Sequence, residues 1–280
     1  MLIDLHAHSS VSDGTEPPAE LVASAARAGL DVVALTDHDT TAGWAEAAEA
    51  ARREGVVLVP GTEISCAVNG ISVHLLSYLH DPTSRGLRDE IELSRDSRES
   101  RAVRMVELLG EDVDLTWEHV LEHVGEGTTI GRPHIADALV ARGLVSDRSE
   151  AFAGLLSSRG PYYVRHRAPH PVDAVRLVVE AGGVAVMAHP LAHKRGRVVG
   201  DEVIEEMASA GLAGLEVEHR DNDAQAREHL RHLAKRLDLL VTGSSDYHGT
   251  GKPNRLGENR TDPAVLDEIE ARATGAAVVR

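Results

Sequence analysis

The stretch M-L-I-D-L-H-A-H-S-S-V-S-D-G, residues 1–14, is where the fold is decided. Its apolar run, Leu2-Ile3 with Leu5, delivers His6 and His8 to the end of a first β-strand, and Asp13 follows in the loop. Residues i and i+2 of a strand point to one face. Two imidazoles so placed can grip one cation, so the stretch predicts a metal site at a strand end, against the plainer reading of two ordinary histidines.

Working outward, the same arrangement recurs. The apolar run 32–35 ends in Thr36-Asp37-His38-Asp39, and the run 56–59 ends in Pro60-Gly61-Thr62-Glu63. A fourth strand over 71–78 contains His74 and follows Asn69-Gly70, a hairpin-type turn. Later runs at 184–188, 212–217 and 239–242 lead to His189, to His219 and to Asp246-Tyr247-His248. Helices are expected between them over 17–28, from a Thr40 or Thr41 cap to 54, then over 171–181, 201–210 and 223–236, with a last one over 263–273. Seven strands alternating with helices, with polar residues gathered at strand ends, predict an α/β fold: a distorted (β/α)7 barrel.

The rhythm breaks after Asp81-Pro82. Residues 84–109 are charged and helical, and shorter helices follow near 117–123, 133–142 and 148–156, with no strand between them. The expected organisation is a barrel domain of residues 1–81 and 160–280, interrupted by a helical insertion, residues 82–159, that selects substrate.

Composition narrows the partners. The 280 residues carry 29 Lys and Arg against 45 Asp and Glu, a net charge of −16, which argues against long duplex nucleic acid and anionic membranes. Aromatic residues at 2% disfavour a stacking platform for single strands. The single cysteine, Cys66, rules out an internal disulfide and reads as a small buried residue. With no signal-like N-terminus and no apolar run near the roughly 20 residues a membrane helix needs, a cytoplasmic location is expected. Oligomeric state is not legible.

His6, His8, Asp13, His38, Glu63, His74, His189, Asp246 and His248 all fall at or just beyond a strand end, except His74. That is more than one ion can use, so two or three divalent metal ions are implied. Mixed imidazole and carboxylate donors admit manganese, iron or zinc.

The blocks D-L-H-A-H-S with S-D-G, L-T-D-H-D, G-T-E, and A-H-P with G-S-S-D-Y-H resemble the PHP (polymerase and histidinol phosphatase) family of metal-dependent phosphoesterases. G-R-P-H-I-A at 131–136, with the insertion, is similar to the subgroup of 3′,5′-nucleoside bisphosphate phosphatases and 5′-to-3′ exoribonucleases of the RNase AM type. The resemblance implies three ion sites: His6, His8, Glu63 and Asp246; Glu63, His74 and His189; and Asp13, His38 and His248, with manganese foremost. It implies a phosphoric monoester hydrolase in which metal-bound hydroxide attacks phosphorus and no protein nucleophile is needed. The expected substrate is a small nucleotide with two phosphates, with short RNA trimmed from its 5′ end as a further one. The alternatives are histidinol phosphate or another sugar or alcohol phosphate, and a non-catalytic metal-stabilised module.

Substrate contacts are expected from Arg132 and His134, flanking Pro133 at a helix start, and from Arg101, which recurs with Arg98 and Arg104 at helical spacing. The basic run 193–197 is a candidate phosphate-sensing loop.

Overall fold

The computed structural model describes residues 1–125 and 127–280. Strand β1 (Ile3–Asp4) leads to helix α1 (Pro18–Arg27), β2 (Val32–Leu35), α2 (Trp44–Glu54), β3 (Val57–Val68) and β4 (Ile71–Tyr78). The helical block is α3 (Arg85–Leu109), α4 (Trp117–Leu121), α5 (Arg132–Ala141) and α6 (Arg148–Ala153). The alternation resumes with α7 (Pro171–Glu180), β5 (Val184–Met187), α8 (Asp201–Ser209), β6 (Gly214–Glu218), α9 (Ala224–Leu237), β7 (Leu240–Gly243) and α10 (Pro263–Arg272).

The seven strands form one sheet in sequence order. All neighbours are parallel except β4, which runs antiparallel to both β3 and β5. The reason is local: Asn69 (φ 50°) and Gly70 (φ 72°) both lie in the left-handed region, as a two-residue type I′ turn requires, and this turn reverses the chain. The sheet curls until its ends meet. Ala7 bridges Tyr247, and the Thr261 N–H donates to the Ile3 carbonyl at 3.1 Å.

Side chains alternate across this wall. Ile3, Leu5, Val59, Leu76, Tyr78 and Val186 fill the barrel, where Leu266 and Ile269 of α10 join them. The outer face packs on α1 and α2 at one side and on α7, α8 and α9 at the other. The 25-residue α3 starts on the barrel, where Leu87 and Ile91 join the α7 layer. It ends in a separate apolar cluster where Met105, Val106 and Leu109 meet Val120 before α5, Ile135 and Leu139 on it, and Ala151 of α6.

Two expectations need correction. Strand β3 does not stop near residue 59 but runs on to Val68, so Glu63 is mid-strand, paired with Leu76 of the hairpin partner. Neither Thr40 nor Thr41 caps α2, whose N-cap is Gly43; the Thr40 hydroxyl instead accepts from the Ala42 N–H at 3.2 Å. The helical spacing of Arg98, Arg101 and Arg104 does not give them one environment: Arg104 turns outward to pair with Glu107 at 2.7 Å, while Arg98 and Arg101 are buried.

Candidate metal centre

Beyond the short β1 the chain delivers His6 and His8 into the barrel mouth, both fully buried, with their Nε2 atoms 3.0 Å apart. Glu63, from the middle of β3, points its carboxylate between them: Oε2 lies 3.2 Å from His6 Nε2, 3.0 Å from His8 Nε2 and 3.3 Å from His38 Nδ1. Its other oxygen is 2.7 Å from His74 Nδ1 and 3.2 Å from His189 Nε2. Asp246 closes the group, with Oδ1 at 3.4 Å from both His6 and His8. Asp13 stands at the other side, 3.1 Å from His248 Nε2 and 3.7 Å from His38 Nε2.

Three sets of donor atoms each lie within 4.8 Å of one another: His6, His8, Glu63 and Asp246; His8, Asp13, His38 and His248; and His38, Glu63 and His74. The first matches the expected grouping. The second adds His8 to the expected trio, and the third brings in His38 in place of His189, whose Nε2 lies 3.2 Å from Glu63.

The hydrogen bonds fix what these rings offer. His248 Nδ1 has the Asp246 backbone carbonyl at 2.9 Å, so the proton of a neutral ring belongs there and Nε2 presents a lone pair toward the Asp13 carboxylate. His6 likewise gives its Nδ1 proton to Glu216 Oε1 at 2.9 Å, turning the Nε2 lone pair toward His8 and Glu63. Lone pairs facing carboxylate oxygens repel unless a proton or a cation lies between them. Buried His38 Nδ1 and His248 Nε2 have no aligned hydrogen bond. The donor set therefore fits divalent transition ions.

Without an ion, burial and neighbouring charges pull the rings in opposite directions. Burial pulls His6 and His8 down, but the carboxylates of Glu216, Glu63 and Asp246 around His6, and Asp246 and Glu63 around His8, outweigh it. His6 is held well above its ordinary value and His8 is raised to about 9. Burial wins at His189, lowered to about 3 with help from Arg195, and at His248, lowered to about 4 with help from Lys252. Burial opposes ionisation of Glu63 and Asp246, yet the neighbouring histidines, with Lys252 and Arg195 at Asp246, keep both well below the carboxylate range.

Several contributors are not evident from the motifs. Glu216, fully buried within β6, holds His6 and also accepts from the His189 N–H at 2.8 Å. A lone carboxylate in the apolar run 212–217 was the available signal. Asp37 takes the Ser9 N–H at 2.7 Å and the Ser12 hydroxyl at 2.6 Å, shaping the loop before Asp13. Asp39 ties Ser65 to Arg98. Lys252 and Arg195, the latter from the basic run 193–197, both reach Asp246 Oδ2, at 3.0 and 2.6 Å. His219 is fully buried, its Nε2 3.7 Å from Asp246 Oδ2. Asp39, His189 and Asp246 have positive φ, the strained backbone that clusters at functional sites.

The expected substrate residues divide. Arg101 is buried, and its one hydrogen bond runs from Nη1 to His166 Nδ1 at 3.1 Å. Arg132 donates to the Leu156 carbonyl at 3.3 Å and lies over the Phe152 and Tyr163 rings. Among the described residues neither has a carboxylate partner, and burial with the nearby charges of Arg98 and Arg132 pushes Arg101 down to about 9. His134 stands apart from this pair. Its Nδ1 accepts the Gly131 N–H at 3.1 Å, capping α5, and its ring faces the Asp13 side.

Comparison with known proteins assigns the chemistry. The PHP domain model matches residues 4–123. The 3′,5′-nucleoside bisphosphate phosphatase of Chromobacterium violaceum is 33% identical over 96% of this chain and 97% of its own length. The phosphoribosyl 1,2-cyclic phosphate 1,2-diphosphodiesterase of Eggerthella lenta is 34% identical over 89% of this chain and 95% of its own. A solved structure from Bifidobacterium adolescentis, described as a metal-dependent phosphoesterase, superposes with a TM-score of 0.95 at 47% identity, covering 97% of this chain and 96% of that one. A buried histidine and carboxylate cluster at the mouth of a seven-stranded barrel, with these end-to-end relatives, identifies the chain as a member of the PHP family of metal-dependent phosphoesterases.

Proposed function

We propose that this hydrolase removes a phosphate from a small nucleotide carrying two phosphates, of the 3′,5′-bisphosphonucleotide type, and trims short RNA from its 5′ end. The observation that carries the reading is buried Arg101 with half-buried Arg132 beside it, two guanidinium groups with no carboxylate partner among the described residues. Buried cations without counter-charge are costly, and a second phosphate would supply that charge through bidentate hydrogen bonds. An internucleotide phosphate could occupy the same place. The helical insertion, residues 82–159, is the substrate-selecting part on this reading, with His134 a wall beside Asp13.

His6, His8, Glu63 and Asp246 would hold one ion, Glu63 and His74 with His189 a second, and Asp13, His38 and His248 a third, manganese foremost. Such ions, when bound, lower the pKa of water and neutralise phosphoryl oxygens. The chain's own work is positioning: Glu216 fixes the ring of His6, Asp37 shapes the Asp13 loop, and Arg101 with Arg132 orients the non-reacting phosphate. Among the described residues no helix is long and apolar enough to cross a membrane, and a cytoplasmic location accords with this reading.

The test is phosphate release with manganese. A 3′,5′-bisphosphonucleotide should be cleaved much faster than the matching monophosphate, and equal rates would overturn the substrate assignment while leaving phosphoesterase chemistry in place. Arg101→Ala or Arg132→Ala should raise KM for the bisphosphate by about tenfold or more, the worth of one charged hydrogen bond, and erase the preference.

A further inference from the structure

The loop that carries Asp13 is held from the insertion. Arg148, the first residue of α6, donates from Nη1 to the Asp13 backbone carbonyl at 3.0 Å. Its Nε and Nη2 donate to the two oxygens of Asp137, on α5, at 2.6 Å each. The fork is thereby fixed on one edge by a carboxylate and spends its remaining arm on the loop, and the side chain is only 14% exposed.

The same guanidinium packs against a second segment. A Cβ on Gly251 would collide with it, and the Gly251 N–H donates to the His248 carbonyl at 3.2 Å. His248 Nε2 is the atom that faces Asp13 at 3.1 Å. One side chain therefore touches both chain segments that bring this pair together, although they lie at opposite ends of the sequence.

The loop has reason to need a brace. A cavity of about 430 Å³ borders it, lined by Ser10, Val11, Gly14, Pro17, His134 and Arg148, so among the described residues the loop meets open space on that flank. The other ties from the insertion, Thr128 Oγ1 to the Ser10 carbonyl at 3.0 Å and the Thr129 N–H to the Val11 carbonyl at 2.9 Å, grip the loop before Asp13.

We propose that Arg148, aligned by Asp137, is a positioning residue for the Asp13 and His248 pair, so that docking of the insertion sets the affinity of one ion of the set. This rests on the ligand assignment proposed above. Orienting groups behind metal ligands are commonly worth 10- to 100-fold in metal affinity.

Manganese binding to the full chain, read by calorimetry and by elemental analysis after desalting, tests it with Arg148→Gln, Arg148→Lys, Asp137→Asn and the control Asp13→Asn. Arg148→Gln should keep its circular-dichroism spectrum and bind one ion about tenfold or more weakly, the others unchanged. Arg148→Lys, which keeps the charge and loses the fork, should show the same selective loss. The kcat of both should fall at low manganese and recover at high manganese with KM steady, a split that a general loss of stability would not give. Unchanged binding of every ion in both Arg148 variants would overturn the proposal, as would equal weakening of all ions. If Asp13→Asn loses an ion and the Arg148 variants do not, the positioning role alone fails. If Asp13→Asn loses none, the ligand assignment fails and the proposal with it. Should Arg148→Gln not fold, Asp137→Asn reads the same brace through a smaller weakening of the same ion.

Discussion

Glu216 shows how one buried carboxylate can govern a site it does not itself join. Replacing it with Gln keeps the shape and removes the charge that sets the His6 tautomer, so manganese affinity should drop by about 10- to 100-fold with little change in melting midpoint. A titration in which Glu216→Gln binds like the parent would remove this role. His80 gives a second single-residue expectation, away from the metal centre. Burial lowers it to about 4 from an ordinary 6.5, and its Nδ1 is 2.7 Å from the Ser77 hydroxyl. The folded form keeps the ring neutral, so the unfolded chain takes up the proton first. The stability this gives is fully present above pH 6.5 and is lost as pH falls toward 4, by about 3 kcal/mol. Denaturant melts of the parent and His80→Gln should therefore diverge in slope against pH between those values, and parallel curves would refute it. Legibility divides along the same lines. Eight of the nine proposed ligands were readable because each sits in a polar block after an apolar run, whereas His74 lies within a strand. Glu216 was not, because its role comes from a partner 210 residues away in sequence.

Among elements, α3 and the β3–β4 hairpin carry the departures from a regular barrel. Seven strands were legible from apolar runs and turn residues. The extension of β3 to Val68 was not, because Pro60-Gly61 looks like a strand end, and only pairing with β4 keeps the chain extended. The helices beyond residue 84 were legible as helices, whereas their packing was not, since α3 shares one end with the barrel and the other with a cluster of its own. That arrangement predicts uneven stability. Met105→Ala, in the cluster at the far end of α3, should cost about 2–5 kcal/mol and raise hydrogen exchange first in α4 to α6, while the barrel strands stay protected. Uniform loss of protection across the chain would show that the two clusters unfold as one.

At the scale of the whole molecule, the net charge of −16 includes buried carboxylates concentrated around one point. Chelation of divalent ions should lower the melting midpoint, and manganese at about 100 times its dissociation constant should restore on the order of 2.7 kcal/mol per site. A midpoint indifferent to chelator and metal would argue against ion sites altogether. Charge, unlike shape, was fully legible in the sequence.

The seam between Ala7 and Tyr247 also has a consequence in time. His6 and His8 leave the ribosome some 240 residues before Asp246 and His248. At roughly 5–20 residues per second that interval is about 12–48 s. The nascent chain therefore carries six of the nine proposed ligands through most of that interval, and the donor sets that include Asp246 or His248 close only when the last strand docks beside the first.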